Sequence, residues 1–190
     1  MDGQEFFQLN ETNPEKCREL QKLSENVQAE WELQSVSIYS PGRVDDKEEI
    51  FRQVMSPLHF DEEGGEFKAS LFSDVKDKGL SVNRGSHTTI DFIEAALAGK
   101  VAKANSNPDR QGDRYPWGLL PFSSSTIRSI YSTASDGVKR RGFGIFDTAN
   151  SQDQSHADVC QLVPEGAQAR SIRKSLLDIA NAWLKNRSNP

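Results

Sequence analysis

Residues 142–163 hold two short apolar runs around a polar connection, Gly-Phe-Gly-Ile-Phe-Asp-Thr-Ala-Asn-Ser-Gln-Asp-Gln-Ser-His-Ala-Asp-Val-Cys-Gln-Leu-Val. Short apolar runs that are rich in aromatic and β-branched residues and bounded by polar or glycine residues are typical of strands. We therefore predict strands at 142–146 and 157–163, joined by a polar hairpin connection. The search for further strands and for the elements that cover them starts from this pair.

Several earlier segments also have strand character. Residues 34–38 and 66–72 alternate apolar with polar side chains, which is the pattern of a half-buried strand. Residues 80–82 and 117–122 are short apolar runs between turn-forming residues. Residues 49–55 fit either a strand or a short helix. The chain is thus predicted to contain many short strands.

Helical spacing appears before and among these strands. The first ten residues are expected to be frayed, and a helix is predicted to begin at Asn13-Pro14 and to continue to Trp31, because Asn caps well and Pro suits a first helical turn. Residues 88–91 have the spacing of a capping box before a helix at 90–97. Gly99 is expected to end that helix.

The C-terminal segment repeats apolar residues at helical spacing, at Ile172, Leu176, Ile179 and Trp183. Helices at both ends around short strands predict an α+β fold, with a mostly antiparallel sheet and amphipathic terminal helices. We expect an N-terminal helical segment at residues 1–33 and an α+β domain at residues 34–190.

Charge is distributed unevenly along the 190 residues, whose net charge is −5. Residues 1–70 contain 7 Lys+Arg and 16 Asp+Glu, whereas the other 120 residues have a net charge of +4. So small a basic excess does not favour a nucleic-acid partner. The start of the chain lacks the pattern of a signal peptide, no apolar run approaches the roughly 20 residues of a membrane helix, and two cysteines are too few for a disulfide framework. The expected location is the cytoplasm.

The polar connection concentrates the candidate catalytic residues. Asp147 follows the first strand of the pair, and His156 and Asp158 share one face of the second strand because side chains alternate along a strand. A histidine flanked by carboxylates has the chemistry of a general base, so these three residues are the candidate catalytic group. The alternative is a polar connection without a reaction, in which the side chains bond to backbone amides and His156 packs near the surface.

Arg52 and Arg84 are the candidate binding residues for an anionic substrate. The sequence has no Walker phosphate-binding loop, Gly-x-Gly-x-x-Gly, Cys-x-x-Cys or His-Glu-x-x-His motif. No cofactor and no metal are therefore expected.

Four short segments carry a resemblance that covers roughly residues 48–163. At these segments the chain resembles a group of small uncharacterised bacterial proteins with an Arg-containing strand, a Leu-Ser-Val-x-Arg strand and a late His-Ala strand. The resemblance implies a bacterial source and a shared fold, and it implies no activity. The segments are Ile50-Phe51-Arg52-Gln53-Val54, Phe67-Lys68-Ala69-Ser70-Leu71-Phe72, Lys78-Gly79-Leu80-Ser81-Val82-Asn83-Arg84 and Ser155-His156-Ala157-Asp158-Val159.

Two functions from different classes fit these observations. The first is a non-catalytic interaction module, an accessory subunit of a bacterial multi-component system that binds another protein chain. Arg170, Arg173 and Lys174 on the C-terminal helix are its candidate partner contacts. The second is a small hydrolase or transferase built around the candidate catalytic group and an anion-binding arginine. Convergence of those side chains in one pocket would favour the enzyme.

Overall fold

The computed structural model describes residues 1–109, 112–133 and 137–188. Over these residues the chain has an α+β fold, with an antiparallel sheet of five strands and helices toward both ends, which confirms the predicted fold class. The strands are β1 (Glu49–Ser56), β2 (Phe60–Asp61), β3 (Glu66–Phe67), β4 (Leu80–Arg84), β5 (Tyr115–Ser123), β6 (Tyr131–Thr133), β7 (Lys139–Arg141), β8 (Phe143–Phe146) and β9 (His156–Gln161). The main sheet has the order β5-β1-β4-β9-β8, and β2-β3 and β6-β7 are separate hairpins.

The helices cover the sheet from both sides. They are α1 (Gly3–Leu9), α2 (Lys16–Leu20), α3 (Glu25–Glu32), α4 (Ile90–Asn105), α5 (Ser124–Arg128) and α6 (Ala167–Ser188), with 3₁₀ turns at Ala69–Lys76 and Gly85–His87. Within the described ranges, no helix is both long enough and apolar enough to cross a lipid bilayer.

Alternation along β8 and β9 sorts their side chains into two cores. Ile145 and Val159 pack on the side where α6 buries its apolar stripe, including Ile172 and Leu176. Phe146 and Cys160 face the opposite side and pack with apolar residues of the N-terminal helices, namely Phe6, Phe7, Cys17, Leu20 and Trp31. The N-terminal helices therefore share a core with the sheet.

The N-terminal region differs from the predicted single helix. The first residues are ordered as α1, where the Asp2 carboxylate caps the helix by accepting from the Glu5 amide at 2.8 Å. The predicted helix after Pro14 is divided into α2 and α3. A new helix starts at Ser24, whose hydroxyl accepts from the Val27 amide, as a serine at the N-cap position does.

Two predicted strands are wrong. Residues 34–38 form an irregular segment, because Ser35, Ser37 and Ser40 hydroxyls bond to nearby backbone groups and compete with strand pairing. Residues 66–72 contain only the two-residue β3 before the 3₁₀ turn begins. That turn buries Leu71, Phe72 and Val75, so the apolar spacing becomes helical once Val75 is included.

The α4 helix runs beyond the predicted stop at Gly99 and ends at Asn105. Its N-cap is Thr89, one residue later than the capping-box spacing suggested. A glycine inside a helix costs only about 1 kcal/mol relative to alanine. Burial of Ile93, Leu97 and Val101 outweighs that cost.

Candidate functional site

A cleft of about 990 Å³ lies between the N-terminal helices, the irregular segment 34–42 and the sheet. This volume is at the upper end of the range, roughly 300–1,000 Å³, of small-molecule sites. Among the sequence-predicted residues, Arg52, His156 and Asp158 line this cleft. Asp147 and Arg84 are not part of its lining.

Arg52 lies at the point where β1 and β4 separate. β1 pairs with β4 at Ile50–Arg84 and Phe51–Asn83, whereas it pairs with β5 along its whole length. Arg52 is the next residue of β1 after these two pairs. Its Nη1 donates to the Ser81 carbonyl at 3.1 Å. Arg52 is only 9% exposed, and its Nε has no hydrogen-bond partner among the described residues.

Positive charge dominates the part of the cleft around Arg52. Burial lowers the pKa of Arg52 to about 10, against the opposing attraction of Asp74 and Asp158, so the guanidinium stays charged at neutral pH. Burial and then the charges of Arg52 and Arg114 lower the pKa of His59 to about 3. Partial desolvation and Arg52 also lower the pKa of Lys100, which Asp153 opposes. His59 is therefore neutral at pH 7, and the mutual repulsion of the Arg52 and Lys100 cations marks a part of the cleft that attracts anions.

His156 also lines the cleft, where Thr148 of the polar connection holds its ring. Its Nδ1 lies 3.0 Å from the Thr148 hydroxyl and 3.1 Å from the Thr148 carbonyl oxygen. Its Nε2 lies 3.8 Å from Asp158 Oδ1, which is beyond hydrogen-bond distance. The structure therefore brings His156 and Asp158 together in one cleft without a hydrogen bond between them.

Asp158 is engaged in a buried ion pair with Lys16 of α2, with 2.6 Å between Nζ and Oδ2. Burial alone would raise the pKa of Asp158, but the charges of Lys16 and His156 and the hydrogen bonds from Lys16 and Thr148 together outweigh it, and the pKa is lowered. Burial likewise opposes the charge of Lys16, yet Asp158 raises the pKa of that lysine overall. Gly79 gives the carboxylate room, because it has a φ of +88° and an added Cβ would lie 3.0 Å from Asp158 Cγ.

Asp147 and Arg84 belong to a separate buried network. The Arg84 guanidinium donates to both carboxylate oxygens of Glu48, at 2.8 and 2.7 Å, and to the backbone carbonyls of Gly42 and Arg43. Its Nη1 also lies 3.5 Å from Asp147 Oδ2. Since its donors are taken up inside the protein, Arg84 anchors the chain before β1.

Asp147 has a raised pKa of about 6, because burial outweighs the attraction of Arg84. Within the described part of the chain, its Oδ1 has no hydrogen-bond partner. The pKa of Asp147 in the folded protein lies above its ordinary value of 3.8, so the folded state binds the proton more tightly than the unfolded state does. This preference stabilises the fold fully at pH values below 3.8. That stability is lost as the pH rises from 3.8 toward 6.

We expect Asp147→Asn to remove this dependence. The free energy of unfolding of the wild type, minus that of the variant, should fall between pH 4 and pH 7 by about 2 kcal/mol. Urea unfolding at both pH values measures it, and Asp178→Asn, at an exposed acid of α6, is the control. A difference that rises with pH would contradict the assignment.

The basic residues of α6 lie outside the cleft. Arg170 is exposed. Arg173 forms an ion pair with Glu165 at 2.7 Å, and Lys174 forms one with Asp178 at 2.6 Å. Two of the three candidate partner contacts are therefore already neutralised within the chain.

Three cleft residues were not indicated by the sequence pattern. Lys16 lies within the predicted N-terminal helix but was given no role, and His59 and Lys100 stand in no motif. The contact between Lys16 and Asp158 spans 142 residues, which local periodicity does not encode.

In the part of the chain that the structure describes, no group of three or more His, Cys, Asp or Glu side chains is placed to hold a metal ion. Comparisons with protein-family models, curated proteins and solved structures found no significant match. The resemblance to small bacterial proteins stays a prediction.

Proposed function

We propose that the chain binds a small molecule through an oxyanion group, a phosphate or a carboxylate, with Arg52 as the principal contact. The observation that supports this is a buried guanidinium in a cleft, with an Nε that lacks a protein acceptor among the described residues. Arginine presents its donors as a planar fork that matches the oxygens of a phosphate or carboxylate. Because Nε itself is enclosed by protein, a ligand would contact Arg52 through the terminal Nη hydrogens that the Ser81 carbonyl does not engage.

The charge balance around Arg52 supports the same proposal. The two acids that attract Arg52 are Asp74 and Asp158. Asp74 pairs with Lys78 at 3.4 Å, and Asp158 pairs with Lys16 at 2.6 Å. A buried charge without a close partner costs several kcal/mol, so a bound anion would supply the missing counter-charge.

Arg52→Met should weaken this binding strongly without loss of stability. A charge-assisted hydrogen bond contributes about 1.5–3 kcal/mol, so affinity for inorganic phosphate should fall by roughly ten- to a hundredfold. Replacement of a buried, poorly paired charge by an apolar side chain is commonly neutral or stabilising. Calorimetric titration at low ionic strength and urea unfolding measure the two quantities.

Arg170→Met is the matched control, since it removes the same charge from an exposed position outside the cleft. It should leave phosphate affinity unchanged. If Arg52→Met binds phosphate like the wild type, the anion site lies elsewhere. If it loses several kcal/mol of stability, the role of Arg52 is to support the Ser81 carbonyl, and the proposal fails.

Other functions stay predictions beside this one. A hydrolase or transferase would use the same anion site, and His156 lies in that cleft with Nδ1 engaged by Thr148. An accessory subunit that binds another protein chain through α6 would rely mainly on the exposed Arg170, because Arg173 and Lys174 are paired. The cytoplasmic location and the bacterial source are likewise predictions.

A further inference from the structure

The cleft is far larger than a phosphate or carboxylate group requires. Its volume of about 990 Å³ corresponds to a drug-sized ligand. The lining also includes large apolar side chains from α1, the segment 34–42, β1 and the residues just after β1. These residues are Phe7, Val36, Ile38, Tyr39, Met55 and Leu58.

Ile38 and Tyr39 stand out within this lining because they are large and exposed, at 74% and 45%. Exposed apolar residues that occur singly need no explanation. These two are adjacent, and both line the cleft that contains the Arg52 guanidinium. One cleft thus contains both an apolar surface and a buried cation. A ligand with an apolar part and an anionic part could contact both.

The segment that carries them is fixed by its own serines. The Ser37 hydroxyl donates to the Ala149 carbonyl at 2.5 Å and accepts from the Tyr39 amide at 3.1 Å. Ser40 accepts from the Gly42 amide at 2.8 Å. These bonds hold the backbone of residues 37–42 in place before any ligand binds, so the two apolar side chains are offered at little ordering cost.

We infer that the ligand is an organic oxyanion with an aromatic or alkyl body. Its phosphate or carboxylate group contacts Arg52 beside Lys100, and its body packs on Tyr39 and Ile38. This inference rests on the proposed function and adds the class of molecule. Aromatic side chains add binding energy beyond the area they bury when a ring packs on them.

Calorimetric titrations with four probes test it, namely inorganic phosphate, phenyl phosphate, acetate and phenylacetate. Each phenyl compound should bind about tenfold more tightly than its parent anion, which is the gain from one well-packed aromatic contact. Whichever pair binds more tightly identifies phosphate or carboxylate as the preferred group. Tyr39→Ser should remove the advantage of the phenyl compounds and leave the affinity for the parent anions unchanged.

Tyr131→Ser is the control, since Tyr131 is an exposed tyrosine that does not line this cleft. It should leave all four affinities unchanged. Equal binding of phenyl and parent anions would overturn the inference while the anion site remains. A Tyr39→Ser variant that weakens all four equally would overturn it as well, because the segment would then act only as a support. Failure of all four probes to bind would overturn the proposed function itself.

Discussion

Replacement of Arg84 by Met should destabilise the protein by about 3–5 kcal/mol, the usual loss when one partner of a buried ion pair is removed. The Arg84 side chain is almost fully buried, and both Glu48 oxygens accept hydrogen bonds from it. Although burial raises the pKa of Glu48, hydrogen bonds led by that from Arg84 lower it overall. Without Arg84, the Glu48 carboxylate and the carbonyls of Gly42 and Arg43 would lose their donor.

Urea unfolding at pH 7 measures this loss. Arg18→Met is the matched control, because Arg18 also contacts two acids, Glu15 and Asp77, but at an exposed position. Exposed ion pairs contribute about 0–1 kcal/mol, so the control should change little. Equal effects of the two variants would show that the Arg84 network is not a support for the chain before β1.

The general architecture follows from local patterns because β8 and β9 are short apolar runs buried on both faces, and α6 buries one apolar stripe. Phe146 and Cys160 alternate with Ile145 and Val159, and each set meets a different helical layer. Such alternation is visible within a few residues of sequence. The strand at 80–82 and the strand at 117–122 were found for the same reason.

Local patterns failed where hydroxyl groups or a change of period intervened. Val36 and Ile38 alternate with serines like a strand, but the serines bond to the backbone and leave Ile38 exposed. In residues 66–72 the strand-like alternation holds only over a short window. When Val75 is included, its spacing from Leu71 is that of a helix. Over so few residues, moving one apolar residue by a single position changes the pattern from that of a strand to that of a helical turn.

Sequence reasoning named some of the residues that line the cleft and missed others. Arg52 was one of two arginines named as anion-binding candidates, and it lines the cleft. Arg84, the other of the two, likewise stands close to apolar residues in the sequence. In the structure it donates to Glu48, which the fold of residues 42–48 brings beside it. Sequence context alone does not separate an arginine with internal acceptors from one with a donor to spare.

The buried ion pair between Lys16 and Asp158 is expected to be the second large contributor to stability. Both side chains are nearly inaccessible, and the pair joins α2 to the strand β9 at one wall of the cleft. Lys16→Met would leave Asp158 as a buried carboxylate without its cation. The expected loss is about 3–5 kcal/mol in the free energy of unfolding.

A double replacement separates the charge from the packing. In Lys16→Met with Asp158→Leu both charges are gone, so most of the stability lost in Lys16→Met should return, since apolar residues of similar size often replace a buried pair without cost. Lys22→Met, which removes an exposed pair with Glu19, is the control and should cost less than about 1 kcal/mol. If the double variant is less stable than Lys16→Met, Asp158 contributes more through its other contacts, such as its hydrogen bond with the Thr148 side chain, than through Lys16. In that case the ion pair is not what holds the N-terminal helices against the sheet.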